Sequence, residues 1–161
     1  MRLADLVRPH KRIRPEPERV TPPMTTLSEM ANAAKCVITT RFAHRNFKVN
    51  PKRFTTKGQK LFHFRRPMTM KDVKASMQLE GYRPGTIEEL LAYVAERPGK
   101  DWPDAIYATG SLHKTNFGSL GIPCVMTLEK ERRVHLHVRF NDVVLAGSCR
   151  FIGVRLQGHE R

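Results

Sequence analysis

Two histidines and a cysteine are the residue types with which this chain could do metal or covalent chemistry. His135 and His137 stand two apart in RVHLHVRF, whose alternation predicts a half-buried strand. Both imidazoles would then project from one face, a spacing that suits two metal ligands, and Cys124, Cys149 or His113 could complete the set. Because the chain has no Cys-x-x-Cys or His-Glu-x-x-His motif, we favour the alternative interpretation, an exposed polar strand face.

Cys149, in GSCRF, is also a candidate nucleophile that His135 or His137 would activate. A cysteine in a closing strand is more often packed in the core. The segment GSLHKTNFGSLG (110–121) is rich in glycine and serine but lacks the Gly-Lys-Ser/Thr of a phosphate-binding loop. The sequence therefore predicts no catalytic residue, no metal and no cofactor, and metal-dependent or Cys/His catalysis stays a lesser alternative.

The stronger chemical signal is a basic, aromatic segment at residues 41–66, RFAHRNFKVNPKRFTTKGQKLFHFRR. It holds nine Lys or Arg residues, two His and five Phe, and no Asp or Glu. Lys and Arg gain affinity for phosphate backbones by releasing counterions, and exposed Phe rings offer stacking surfaces for unpaired bases. The combination predicts nucleic-acid binding and favours RNA or another single strand over duplex DNA that is read by sequence.

Eleven residues of this segment are the predicted nucleic-acid contacts. The cations would neutralise phosphates, and two of the rings would stack on bases. They are Arg41, Arg45, Lys48, Lys52, Arg53, Lys57, Lys60, Arg65 and Arg66, with Phe47 and Phe54. The competing interpretation of the rings is that all the Phe side chains of the segment are core residues of a small sheet, so that only Lys and Arg face water.

The positive charge is concentrated in the first part of the 161-residue chain. The formal net charge is +14; residues 1–71 hold 17 Lys and Arg against 4 acidic residues, and residues 72–161 hold 12 against 11. A solvated surface normally mixes both signs, so this asymmetry indicates a polyanionic partner. No apolar run approaches a membrane span and no basic amphipathic helix is evident, so we expect nucleic acid rather than a membrane.

The cysteine count bears on the compartment. Three widely spaced cysteines do not make a disulfide framework, which indicates a reducing, intracellular compartment such as the cytoplasm. The arginine-rich N-terminus has one property of a mitochondrial presequence, but Asp5 and three early prolines oppose a long amphipathic helix there.

The predicted elements divide the chain in two. Residues 1–67 form a basic N-terminal region, with an extended, proline-rich arm at 1–24 and a short helix and an irregular or β segment at 25–67. Residues 68–161 form a compact α+β domain, in which two helices capped by Thr69 and Thr86 pack on a mostly antiparallel sheet.

Three motifs stand in the second region: EGYRPGTIEELL, AIYATGSL and CRFIGVR. Together they resemble a pattern of small uncharacterised bacterial proteins that are common in candidate-phylum genomes, over residues 68–156. The resemblance implies no activity. The matching residues are Gly81, Arg83, Pro84, Thr86, Glu89, Leu90, Leu91, Gly110, Ser111, Cys149, Arg150, Phe151, Val154 and Arg155.

A more remote similarity is to C-type-lectin-like modules, which also run from an Arg-x-Pro-Thr-x-x-Glu helix to a closing Gly-Phe-Arg-x-Val strand. It implies a fold and no function. This chain departs from the lectin pattern in two ways, since Cys-Arg-Phe replaces Gly-Phe-Arg and Trp102 is the only tryptophan.

Taken together, the residues predict a nucleic-acid-binding protein that prefers RNA and acts as an accessory to, or within, a larger ribonucleoprotein assembly. The alternative is a protein-interaction or ligand-binding module of lectin-like shape, with the basic arm as a docking element. A metal-dependent enzyme centred on His135 and His137 is the third interpretation.

Overall fold

The computed structural model describes residues 26–39, 50, 55–114, 120–139, 144–145 and 147–158, and of the strand residues 113–114, 120, 134–139 and 144 it describes the backbone alone. The helices among these residues are α1 (Leu27–Ala33), α2 (Met70–Leu79) and α3 (Ile87–Ala95).

Each of these helices begins after a capping threonine. The hydroxyls of Thr26, Thr69 and Thr86 accept the backbone N–H three residues further on, which satisfies one donor that a helix start leaves open. α2 ends before Gly81, whose φ of 82° favours glycine. The helix starts that the sequence predicted are therefore confirmed.

Ten strands lie among the described residues. They are β1 (Cys36–Ile38), β2 (Gln59–Phe62), β3 (Met68–Thr69), β4 (Tyr82–Pro84), β5 (Ile106–Tyr107), β6 (His113–Lys114), β7 (Leu120–Leu128), β8 (Glu131–Arg139), β9 (Val144–Leu145) and β10 (Arg150–Arg155). Eight of these described strands share one sheet, in the order β1-β8-β7-β5-β10-β2, with β4 on β10 and β6 on β7; β3 and β9 pair separately.

The pairing of the strands is mixed. β1 with β8 and β5 with β10 are parallel, and the other described pairs are antiparallel. Of the described strands that a helix joins, β3 and β4 lie in different sheets and β4 and β5 run in opposite directions. The described elements therefore form no βαβ unit, and the predicted α+β class is confirmed.

Different helices cover the two faces of the large sheet. Successive residues of a strand point to opposite sides, so Phe151 and Ile152 of β10 enter different clusters. Ile152 belongs to one hydrophobic cluster with Leu27 of α1 and Leu90 of α3, whereas Phe151 belongs to a second cluster with Val73 of α2. The described part of the chain is thus built in three layers, with the sheet in the middle.

Residues on both sides of the boundary predicted at residue 67 contribute to this architecture. β1 pairs with β8, β2 pairs with β10, and Leu27 and Met30 of α1 share a cluster with Leu91 of α3. The described residues 27–38 and 59–62 therefore belong to the same sheet and core as the described residues of 68–155, while the predicted arm at 1–24 lies outside the described residues.

Arg132 of β8 joins the ends of two helices. The residue is buried, and its guanidinium donates to the carbonyl oxygens of Ala34, Val94, Arg97 and Lys100 at 2.5 to 3.4 Å. Ala34 and Val94 stand at the C-terminal ends of α1 and α3, where a helix leaves acceptors open, and Arg97 and Lys100 belong to the segment that follows α3. One buried side chain thus satisfies acceptors from both helices.

Candidate nucleic-acid interface

The eleven predicted nucleic-acid contacts fall into two groups. One group lies outside the described residues: Arg41, Arg45, Phe47, Lys48, Lys52, Arg53 and Phe54. The other comprises Lys57, Lys60, Arg65 and Arg66, which are described and exposed.

The four described cations are carried by one edge of the sheet. Lys57 precedes β2, Lys60 lies within it, and Arg65 and Arg66 follow it in the connection to β3. Among the described strands, β2 pairs only with β10 and ends the strand order. The cations are therefore spread along an edge strand rather than gathered at one point.

Three of these cations have no acidic partner in the described part of the chain. No described carboxylate lies within 4.0 Å of Lys57, Arg65 or Arg66. By contrast, Arg83 and Arg133, in the near-neutral region, pair with carboxylates at 2.7 and 2.8 Å. The positive charge of these three cations is thus not offset by a described carboxylate nearby.

Lys60 is the exception among the four. Its ammonium pairs with the Glu80 carboxylate and lies 4.5 Å from the ring centroid of Phe62 and 5.4 Å from that of Tyr82. Both members of the ion pair are about half exposed, so the pair contributes little to stability and salt screens it.

The two described rings of the basic segment belong to the core. Phe62 is 3% exposed, and Phe64, which is partly buried, packs on Phe62 and Phe151 with ring centroids 6.0 and 5.7 Å apart. Gly153 leaves room for the Phe62 ring, since a Cβ there would stand 2.5 Å from Phe62 Cε2. For these two residues the core interpretation of the rings is correct.

Arg155 joins the cations of β2, although the sequence analysis did not name it as a contact. It ends β10 opposite Tyr82 of β4, and its guanidinium donates to the Tyr82 hydroxyl at 3.2 Å. This hydrogen bond raises the pKa of Arg155. Its backbone N–H donates to the Gly58 carbonyl at 3.0 Å, which brings Arg155 beside the turn that carries Lys57. Its charge directly after the apolar run FIGV could have indicated that it is accessible.

A buried carboxylate fixes the backbone that carries these cations. Glu89 of α3 accepts the backbone N–H of Thr55 at 3.1 Å, and its own carbonyl accepts the Gln59 amide at 2.8 Å. Arg83 donates two hydrogen bonds to the same carboxylate, which raise the pKa of Arg83. Residues 55–59 are thus tied to the start of α3.

The candidate metal and nucleophilic residues do not form a described site. His135 and His137 lie in β8 opposite Cys124 and Ile122, but their side chains are outside the described part. Among the side chains that are described, no group of three or more His, Cys, Asp or Glu residues could hold a metal ion.

The cysteines are core residues. Cys36, Cys124 and Cys149 form no disulfide and are buried. Burial raises the pKa of the Cys36 thiol to about 11, against a smaller lowering by the Arg132 charge. A thiol of that kind is poorly suited to nucleophilic attack near neutral pH.

Within the described residues, no helix combines the length and the apolar character that crossing a membrane would need. Comparison of the chain with protein-family models, with curated proteins and with solved structures finds no match. The resemblances that the sequence motifs indicate therefore stay predictions.

Proposed function

We propose that this protein binds nucleic acid, with RNA as the favoured target, and acts as an accessory or component of a ribonucleoprotein assembly. The observation that carries the proposal is the pairing state of the described cations. Lys57, Arg65 and Arg66 are exposed, have no described carboxylate within 4.0 Å, and follow one edge strand. They belong to a segment, 41–66, that contains no acid.

The physical argument is that unpaired cations bind a phosphate backbone by releasing its condensed counterions. A partner with spaced negative charges suits cations that are spread along an edge. The preference for RNA rests on Phe47 and Phe54 as stacking candidates, because Phe62 and Phe64 pack in the core.

The test is fluorescence anisotropy of single-stranded RNA, duplex RNA and duplex DNA with the full chain across a salt series. We expect a steep fall of log K with log salt and the tightest binding to single-stranded RNA. In the variant K57Q/K60Q/R65Q/R66Q, the slope for a single strand should become shallower by up to about 3, since each lost phosphate contact removes roughly 0.7.

A matched variant controls for net charge. K35Q/K71Q/K74Q/K130Q removes the same number of exposed cations from other parts of the described surface, and it should bind more nearly like the natural chain. Equal losses in the two variants, or equal displacement by heparin and RNA, would mean that charge alone attracts any polyanion, and the proposed nucleic-acid function would be wrong.

A further inference from the structure

A groove lies where the end of β10 meets the turn before β2. It has a volume of about 480 Å³, and its lining includes Lys57, Gly58, Arg155, Leu156 and Gln157. The turn and β10 approach closely here, since a Cβ on Gly58 would stand 3.0 Å from Arg155 Cβ. Gly58 also has a φ of 68°, so glycine suits this turn for two reasons.

The charges of the groove have one sign. Lys57 and Arg155 line it, and none of its lining residues is acidic. The Arg155 guanidinium makes one described side-chain hydrogen bond, to the Tyr82 hydroxyl, so most of its five N–H donors remain for a ligand. A planar fork of donors beside an ammonium suits the oxygens of a phosphate group.

The size of the groove indicates more than a bare phosphate ion. Its volume of about 480 Å³ lies within the range of roughly 300 to 1,000 Å³ that is usual for small-molecule sites. Leu156 offers a partly buried apolar wall, and the exposed Gln157 amide offers one donor and one acceptor group. These two residues suit a sugar or base next to the phosphate.

We propose that this groove holds one nucleotide, with its phosphate bound between Lys57 and Arg155. The inference deepens the proposed nucleic-acid function and rests on it, because Lys57 belongs to the same basic segment. The nucleotide has two sources, a unit of a nucleic-acid strand or a free mononucleotide.

The test follows the backbone N–H signals of Gly58 and Gly158 by NMR in the full chain. The probes are AMP, inorganic phosphate and a short single-stranded RNA. We expect saturable shifts with AMP, weaker ones with inorganic phosphate, and loss of both in R155Q. K57Q and R155Q should each weaken binding of the single-stranded RNA roughly fivefold near 0.1 M salt and make the salt slope shallower by about 0.7.

Two further variants guard the interpretation. K74Q removes an exposed cation from α2 and should leave groove shifts and RNA affinity unchanged. R155K keeps the positive charge but lacks the planar guanidinium, so it should retain part of the binding. It therefore tests the groove even if R155Q is destabilised by losing its hydrogen bond with Tyr82.

The outcomes separate the two proposals. If RNA binds with a steep salt slope, AMP gives no shifts at the groove, and K57Q and R155Q bind RNA normally, the groove inference is overturned while the proposed function stands. If AMP shifts the groove signals and no strand binds, the site takes free nucleotides and the proposed function fails. Absence of both interactions overturns both.

Discussion

The guanidinium of Arg83 holds the fully buried carboxylate of Glu89 through two hydrogen bonds, of 2.9 and 2.7 Å. The same carboxylate accepts the backbone N–H groups of Thr55 and Thr86. It therefore caps α3 and also fixes the segment that leads into β2. Both partners lie in the motif EGYRPGTIEELL, so the motif has a structural role here that needs no catalysis.

Replacing Arg83 with methionine should lower the free energy of unfolding by about 3 kcal/mol, because a buried carboxylate would lose its cation. The side chain of Arg83 is 35% exposed, whereas that of Glu89 is fully buried. Most of the lost stability therefore comes from leaving the Glu89 carboxylate buried without a cation. Urea unfolding monitored by the fluorescence of Trp102, the only tryptophan, measures the change.

A matched control for this prediction is Arg150→Met. Arg150 is 34% exposed, almost the same as Arg83, but it stands 3.8 Å from a partly exposed Asp104. An exposed pair of this kind contributes less than about 1 kcal/mol, so the control should unfold nearly as the natural chain does. Equal losses of stability in R83M and R150M would show that the Arg83–Glu89 pair contributes no more than a partly exposed ion pair.

Stability should fall at alkaline pH because of Cys36. Its pKa is about 11 in the folded chain against an ordinary 9.0, so between these values the unfolded chain releases a proton that the folded chain keeps. The contribution is intact below pH 9 and is lost as pH rises toward 11. At pH 10.5 the loss should be about 2 kcal/mol relative to pH 8.

The variant Cys36→Ala isolates this effect, since the two chains differ in their ionisable groups only at this position. Urea unfolding of the natural chain and of C36A at pH 8 and pH 10.5 gives the difference. If the two chains lose the same stability between these pH values, the Cys36 thiol does not cause the fall.

The helices could be predicted from local sequence signals. The pairing partners of the short strands could not be predicted in this way. Thr86 and Glu89 form a capping box within four residues, and no distant contact is needed to recognise it. β1 is three residues long and pairs in parallel with β8, which its own sequence cannot specify. The role of Arg132 was likewise not predictable. In the sequence it is one of several charged residues near a hairpin, and only the fold brings its guanidinium to the carbonyls of Ala34 and Arg97.

The candidate site was predictable to the extent that it depends on composition. The absence of acids in residues 41–66 predicted that Lys57, Arg65 and Arg66 would be exposed, and no described carboxylate lies within 4.0 Å of them. The groove was not predictable, because Arg155 meets the turn at Gly58 only through the pairing of β10 with β2. Long-range pairing of this kind leaves no local pattern.

Gly153→Ala should lower the free energy of unfolding by about 1 to 3 kcal/mol, since the new methyl group would overlap the Phe62 ring. The ring atom nearest to it would be 2.5 Å away, which forces Phe62 or β2 to move. Thermal or urea unfolding of the single variant measures this cost.

A double-mutant cycle identifies the cause of that loss. Phe62→Leu shortens the side chain that Gly153 faces, so F62L/G153A should be more stable than the sum of the two single effects predicts, by roughly 1 kcal/mol. Strict additivity would place the strain elsewhere, for instance in the backbone of β10.

The rings at 47 and 54 should behave differently from the ring at 62. F47A/F54A should weaken binding to single-stranded RNA by about thirtyfold or more, because each of two stacked bases contributes about 1 to 3 kcal/mol, and should affect duplex DNA much less. Phe62→Ala, in contrast, should lower the free energy of unfolding by about 3 kcal/mol or more, as the loss of a buried ring does.

The comparison separates stacking from packing. Circular dichroism and urea unfolding show whether each variant is folded, and anisotropy of the folded variants measures RNA affinity. If F47A/F54A loses stability as Phe62→Ala does while its folded fraction binds RNA normally, Phe47 and Phe54 are core residues. The proposed interface would then consist of cations alone. Without stacking rings, the protein should no longer prefer single-stranded RNA to duplexes.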